Sequence, residues 1–225
     1  RRRLGGVLGT HRRALRPRPH GRQPRGRPDL AVHDARLGRE DPDGSLVAVG
    51  GNDGQLVLVD PDTGIKKMLE AHRGIIYNLA FSKDGKYLIS CAEDGSTILW
   101  DTASWKVIRK YHTGGSGYKG QIRSIEYLAD GRRAVLAGND GVIRVWSLEN
   151  GDELHRFVAH PSKEILTVKL SPDGKQLASG SADGVLKLWN TDNWKEQAVL
   201  RAHDGRLWTI AYSPDGRELA TGSGD

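Results

Sequence analysis

Cysteine is almost missing from this chain of 225 residues, which holds one, Cys91. A single thiol excludes an internal disulfide framework and any zinc site built on clustered cysteines. The redox compartment stays open on that count, and a reducing, cytoplasmic one fits comfortably. No apolar run is long enough to cross a membrane as a helix. Lysine is absent from residues 1–40, which carry 12 Arg and only 3 acidic residues. The formal net charge of +6 therefore belongs to the head, because residues 41–225 hold 22 basic and 25 acidic side chains. Charge gives the rest of the chain no reason to bind nucleic acid.

The head also lacks an apolar period of either kind and consists mainly of Arg, Pro, Gly, Ala and His. A secretory or twin-arginine signal needs a continuous apolar stretch after the charges, and Leu4–Leu8 is short and broken by glycine. Three readings of residues 1–40 follow, in order of preference. They are a translation artefact, a disordered basic arm and a functional basic segment that binds nucleic acid. The artefact reading rests on residues 32–39, where the repeat register asks for a strand but the chain has Arg36, Gly38 and Arg39. The first repeat is accordingly expected to lack a credible innermost strand.

What is present is a comb of Asp-Gly turns. One series is Asp43-Gly44, Asp84-Gly85, Asp130-Gly131, Asp173-Gly174 and Asp215-Gly216. The other is Asp53-Gly54, Asp94-Gly95, Asp140-Gly141 and Asp183-Gly184, with Asp225 where the next would fall. Both step by 41, 46, 43 and 42 residues. A period in this range indicates a stacked or radial array of small units.

Short β-type runs lie between the turns. Ile75–Ser82, Tyr87–Ala92, Ser96–Trp100 and Val107–Tyr111 form one set of four. Gln121–Leu128, Ala134–Gly138, Val142–Trp146 and Glu153–Val158 form the next. Ile165–Ser171, Gln176–Gly180, Val185–Trp189 and Gln197–Leu200 form a third. Asp-Gly favours hairpins because glycine takes the positive φ of the turn without steric cost. Each unit thus reads as a four-stranded antiparallel meander, apolar on both faces as sheets sandwiched between neighbours are.

Gly95-Ser-Thr-Ile-Leu-Trp100-Asp101 ends in the Trp-Asp pair that names the WD40 family. Val185-Leu-Lys-Leu-Trp189-Asn190, Val142-Ile-Arg-Val-Trp146-Ser147 and Leu56-Val-Leu-Val59-Asp60 are similar to it. Ala71-His72, Ala159-His160 and Ala202-His203 resemble the family's Gly-His. The phrases Ser171-Pro-Asp-Gly174 and Ser179-Gly-Ser-Ala-Asp183-Gly184 are also family-like, and the style resembles bacterial WD40 arrays. The resemblance covers roughly residues 41–225.

It implies an all-β fold, a β-propeller of four-stranded antiparallel blades. The array is expected to be incomplete, with about four and a half repeats. The units fall at about 41–70, 71–112, 118–159, 160–202 and 203–225, after a disordered or artefactual segment 1–40. Further blades or domains of the same polypeptide are expected outside this chain.

The family also implies a structural tetrad of His, Ser/Thr, Asp and Trp in each blade. By position these are His72, Ser90, Asp94 and Trp100, then His160, Ser179, Asp183 and Trp189, then His203, Thr221 and Asp225. The unit at 118–146 departs from the pattern, with Tyr118 at the His position, Leu136 at the Ser position and an insertion around Thr113–Gly117.

His72, Ser90 and Asp94 have the residue types of a hydrolase triad. The trio recurs in register, whereas a catalytic site is built once, and no G-x-S-x-G elbow is present. The expectation is therefore no enzyme activity and no catalytic, metal or cofactor site. Gly115-x-Gly117-x-x-Gly120 matches the dinucleotide expression but precedes a strand, so it reads as a flexible loop. Lone His112 and His155 read as surface residues. Trp105 and Trp194 read as packing residues at the start of outer strands.

One column points to partners. Five residues past each His position stand Tyr77, Arg123 and Trp208, with Leu166 in the unit whose loop is one residue longer. Resemblance to WD40 propellers puts this column at the channel mouth, and Tyr, Arg and Trp are hot-spot types. Two functions follow. One is a non-catalytic scaffold binding proteins or peptides through the channel face and rim. The other is a sensory or regulatory WD40 region of a larger bacterial Ser/Thr kinase or signal-transduction ATPase.

Overall fold

A computed structural model of the chain describes residues 35–112 and 117–225. The readings of residues 1–34, and Thr113 to Ser116 of the insertion with its Gly115, lie outside the described residues. Regular structure within them is β-strand apart from one 3₁₀ turn at Gly117–Gly120, in the connection to the third sheet.

The first sheet runs β1 (Ala35–Glu40), β2 (Val47–Gly51), β3 (Gln55–Asp60) and β4 (Gly64–Glu70). The second is β5 (Ile76–Phe81), β6 (Tyr87–Ala92), β7 (Ser96–Asp101) and β8 (Lys106–His112). The third is β9 (Ile122–Tyr127), β10 (Arg133–Gly138), β11 (Val142–Ser147) and β12 (Glu153–Val158). The fourth is β13 (Ile165–Leu170), β14 (Gln176–Ser181), β15 (Val185–Asn190) and β16 (Glu196–Arg201). β17 (Leu207–Tyr212) and β18 (Leu219–Ser223) pair as a fifth, two-stranded sheet. Every pairing is between consecutive strands and antiparallel. The first strands of successive sheets, β1, β5, β9, β13 and β17, touch one another in turn, so the sheets are blades of an incomplete β-propeller.

The apolar residues on both faces of the strands become four interblade layers. In β6 the alternation is direct: Leu88 packs toward the first blade, while Ile89 and Cys91 pack toward the third. Leu128, Val135 and Ile143 meet Ile165, Leu177 and Trp189 between the third and fourth blades. Each layer excludes water from two sheets at once, which is why a period-2 polar face is missing from the inner strands.

The turn chemistry follows the sequence. Asp173 Oδ1 accepts from the Ser171 hydroxyl at 2.7 Å and from the Lys175 N–H at 3.0 Å. The Gln176 N–H in turn donates to Ser171 Oγ at 3.0 Å. Ser82 and Asp84 repeat the arrangement at 2.7 Å. The third turns close on Trp105 and Trp194, with φ of 55° and 57°, whose N–H groups donate to Asp101 O at 2.7 Å and Asn190 O at 2.8 Å. Both indoles pack against interblade layers.

One expectation is corrected. The first blade has an innermost strand, β1, in register with β2 through Leu37↔Gly50, Gly38↔Val49, Arg39↔Ala48 and Glu40↔Val47. Arg39 and Gly38 do not prevent this, because ladder hydrogen bonds belong to the backbone and Leu37 supplies the apolar contact to the first interblade layer.

Candidate functional site

In the second blade a fifth residue joins the tetrad positions, and His72 Nδ1 also stands 3.4 Å from Asp94 Oδ1. Trp100 donates its indole N–H to Ser90 Oγ at 3.0 Å. Ser90 Oγ lies 2.7 Å from His72 Nε2, and His72 Nδ1 lies 2.8 Å from Ser96 Oγ. The Ser96 hydroxyl donates to Asp94 Oδ1 at 2.6 Å. With Ser96 donating to the carboxylate, the arrangement that satisfies every group has Nδ1–H donating to Ser96 and Nε2 accepting from Ser90. Burial pushes the Asp94 carboxyl up, and hydrogen bonds from His72, the Arg73 N–H and Ser96 more than reverse it, leaving it well below the usual carboxylate range. Ser90 is fully buried, and its oxygen already accepts from Trp100, so the Ser–His pair presents no nucleophile to solvent.

The fourth blade keeps half of this relay. Trp189 donates to Ser179 Oγ at 2.9 Å, and His160 Nε2 lies 2.8 Å from the same oxygen. Val185 occupies the register position of Ser96 and has no hydroxyl to pass the network on. Asp183 accepts instead from Ser181 Oγ at 2.6 Å. Burial, reinforced by the Lys187 charge, lowers the His160 pKa to about 4. In the fifth blade His203 bridges Thr221 Oγ1 at 2.8 Å and Asp225 Oδ1 at 3.1 Å directly. The Asp204 N–H is the main cause that holds the Asp225 carboxyl down to about 2.

The third blade has a different centre. Leu136 fills the hydroxyl position, and Tyr118 turns its phenol to Glu164 instead of into the blade. Asp140 takes Arg144, which is 4% exposed, at 2.5 Å, and Glu153 stands 3.5 Å from Arg144 Nε. Trp146 packs edge-on against Tyr111 with centroids 4.9 Å apart.

The partner column has a structural cause. The innermost strands of the second to fifth blades each carry a β-bulge at their entry, and the residues that the ladder register skips are Tyr77, Arg123, Leu166 and Trp208. A bulge re-aims one side chain out of the alternation. The four do not share one fate. The Arg123 guanidinium lies 4.0 Å over the Tyr77 ring, and its Nε donates to Asn139 Oδ1 at 2.8 Å. Asn139 Nδ2 donates to Gln121 Oε1 at 2.9 Å, and Gln121 Nε2 to Glu93 Oε1 at 3.3 Å. Leu166 is buried, at 9% exposure. Trp208 is 52% exposed beneath the Arg206 guanidinium, 5.6 Å from its ring.

A profile of the WD40 domain, G-beta repeat, matches residues 151–190 and 194–225, and one of the Vps8 beta-propeller matches 43–154. The chain belongs to the WD40-repeat β-propeller family. Among curated proteins, the Drosophila melanogaster protein groucho is 32% identical over 120 residues, 51% of this chain and 16% of its own length. Mouse transducin-like enhancer protein 2 matches equally, over 15% of its length. This WD40 chain thus spans a small part of the curated relatives it matches.

A chain of the mitotic checkpoint complex superposes with a TM-score of 0.72 at 22% identity, covering 80% of this chain and 58% of that one. The Myceliophteria thermophila Cps50 (Swd1) beta-propeller domain gives 0.74 at 21%, covering 84% and 62%. At these identities the two structures speak for the propeller fold.

Sequence reasoning missed several residues of the WD40 blades. Ser96 could have been found as a hydroxyl two places after the turn Asp. Arg144 could have been found as a charge between the apolar Ile143 and Val145. The Tyr118–Glu164–Arg206 contacts had no sequence signal, because they join three blades more than 40 residues apart.

Proposed function

We propose that this chain is a non-catalytic WD40 scaffold that binds protein or peptide partners through the channel face and blade rim. The observation that carries the reading is Trp208, a bulge residue half-exposed at the entry to β17 with Arg206 against its ring. Arg206 also pairs with Glu164 at 3.3 Å, and Glu164 accepts from Tyr118, itself 54% exposed. An aromatic surface already fixed by its own polar contacts loses little side-chain entropy on binding. The non-catalytic part is supported by the burial of Ser90 and Ser179, which occupy one structural position in two blades. The similar chain in the mitotic checkpoint complex is by name part of an assembly.

Affinity capture with Trp208→Ala and Tyr118→Ala tests this, with Arg217→Ala on an exposed turn as the control. The two rim variants are expected to lose partners that the control retains, with melting unchanged in all three. Equal recovery by all forms overturns the rim assignment.

A further inference from the structure

We propose that β8, the outer strand of the second blade, is an edge to which an acidic, extended segment of a partner protein adds as a fifth strand. This surface lies on the side of the blade, apart from the channel face, and does not depend on the rim reading.

The first observation is charge. β8 reads Lys-Val-Ile-Arg-Lys-Tyr-His, three cations in seven residues with no acid, and Lys106, Arg109 and Lys110 are exposed. Two other outer strands carry acidic residues that pair with nearby cations. In β12, Arg156 pairs with Glu153 at 3.6 Å, and in the fourth blade Glu196 of β16 takes Lys187 at 2.8 Å. Among the described residues no carboxylate stands within ion-pair distance of Lys106, Arg109 or Lys110. The guanidinium of Arg109 donates only to the Glu149 carbonyl, at 3.4 Å.

The second observation is shape and backbone. β8 is hydrogen-bonded to β7 alone, so its other side carries a row of N–H and C=O groups outside any ladder. Val107 and Ile108 are 50% and 46% exposed along it. Beside it lies a cleft of about 420 Å³ between the second and third blades, lined by Tyr87, Leu99, Ile108, Leu148 and the opposite charges of Arg132 and Glu149. Ile108, the residue that the β7–β8 register skips, borders this cleft, and the adjacent Arg109 and Lys110 lie on opposite faces of the strand, so an added strand meets a cation on either face.

The occupant follows from these two features together. Lysine on an edge repels a like edge, and a second copy of β8 would set Lys and Arg against Lys and Arg. The same charges select an acidic strand. A nucleic-acid backbone would answer the charge but would leave the cleft and the free backbone groups unused.

The test uses the full chain and a fluorescent eight-residue peptide of alternating Glu and Val. Three comparison probes accompany it: the peptide N-methylated on alternate amides, a Lys/Val version and a poly-dT oligonucleotide. The Glu/Val peptide is expected to bind, weakening as salt rises. Lys106→Glu/Lys110→Glu is expected to weaken it by roughly tenfold or more, with Lys106→Gln/Lys110→Gln intermediate and both variants melting as the parent does. The N-methylated and Lys/Val peptides are expected not to bind.

Three results overturn the proposal. Binding that survives in both variants belongs to the Arg-rich head, which every form retains. Equal binding of the N-methylated peptide means charge without strand addition. Loss of oligonucleotide binding in the variants, with no peptide binding to the parent, makes the strand a nucleic-acid contact.

Discussion

Arg144 donates to Asp140 at 2.5 Å inside the third blade, at the turn where Asp94 anchors a histidine relay in the second. The two blades solve one problem with opposite chemistry. An aspartate must follow the innermost hairpin in each, and it needs a donor from within the blade. Where Ser90 and His72 are present, a chain of neutral hydrogen bonds reaches the carboxylate. Where Leu136 and Tyr118 stand instead, a buried guanidinium does so.

A buried cation with two carboxylates is expensive to break from one side. Arg144→Met leaves Asp140 and Glu153 facing apolar surroundings and is expected to cost about 2–4 kcal/mol in a denaturant melt. Asp140 and Glu153 are 23% and 26% exposed at the side chain, which keeps the cost below that of a fully enclosed pair. Adding Asp140→Asn should recover part of the loss. A single variant within about 0.5 kcal/mol of the parent would mean that water already serves these groups.

Ser90→Ala removes the oxygen shared by Trp100 and His72 and strands two buried polar groups. The expected loss is about 2–3 kcal/mol. Ser213→Ala removes a hydroxyl of the same type from an exposed turn, where it meets Asp215 at 2.6 Å, and should cost well under half as much. Equal losses at the two serines would deny the relay its stabilising role.

Much of the fold was legible because it is local and repeated. Asp-Gly turns, strand alternation and the Trp positions recur, and each copy reinforces the others. The innermost strand of the first blade was not legible, since Arg39 and Gly38 carry no apolar signal and only the ladder with Val49 and Ala48 defines it. The spacing found the bulge column of Tyr77, Arg123, Leu166 and Trp208, but spacing cannot tell which bulged side chain is buried. Leu166 is buried at 9% exposure, whereas Trp208 is 52% exposed. The contacts that join Tyr118, Glu164 and Arg206 depend on how blades sit beside one another, which no single repeat encodes.

The two Asp-Gly series differ in what surrounds their glycines. A Cβ at Gly131, φ 66°, meets nothing within 4 Å, whereas one at Gly184, φ 80°, would stand 2.0 Å from the His203 carbonyl oxygen and 2.8 Å from that of Gly205. Gly131→Ala is expected to cost about 1 kcal/mol for the left-handed conformation alone. Gly184→Ala carries that cost plus a backbone clash at the junction of the fourth and fifth blades, and should lose at least twice as much by thermal or denaturant melting. A Gly184→Ala protein as stable as Gly131→Ala would show that the loop around His203 yields freely.

His160 gives the acid response a sign and a window. Its ring is 3% exposed, and burial lowers its pKa from an ordinary 6.5 to about 4. Between these values the unfolded chain binds a proton that the folded one refuses, so stability rises with pH there and is lost as pH falls. The full effect is on the order of 3 kcal/mol, present above about pH 6.5 and gone below about pH 4. The depressed carboxyl of Asp94 acts in a separate window, since its contribution is present above the ordinary carboxylate range and is lost only at lower pH. In urea melts, the midpoint should therefore fall through pH 6 and 5, above the window in which Asp94 is protonated. His160→Gln should lower the midpoint at pH 7 and flatten the slope over this interval by about one proton. An unchanged slope in that variant would assign the acid sensitivity to another group.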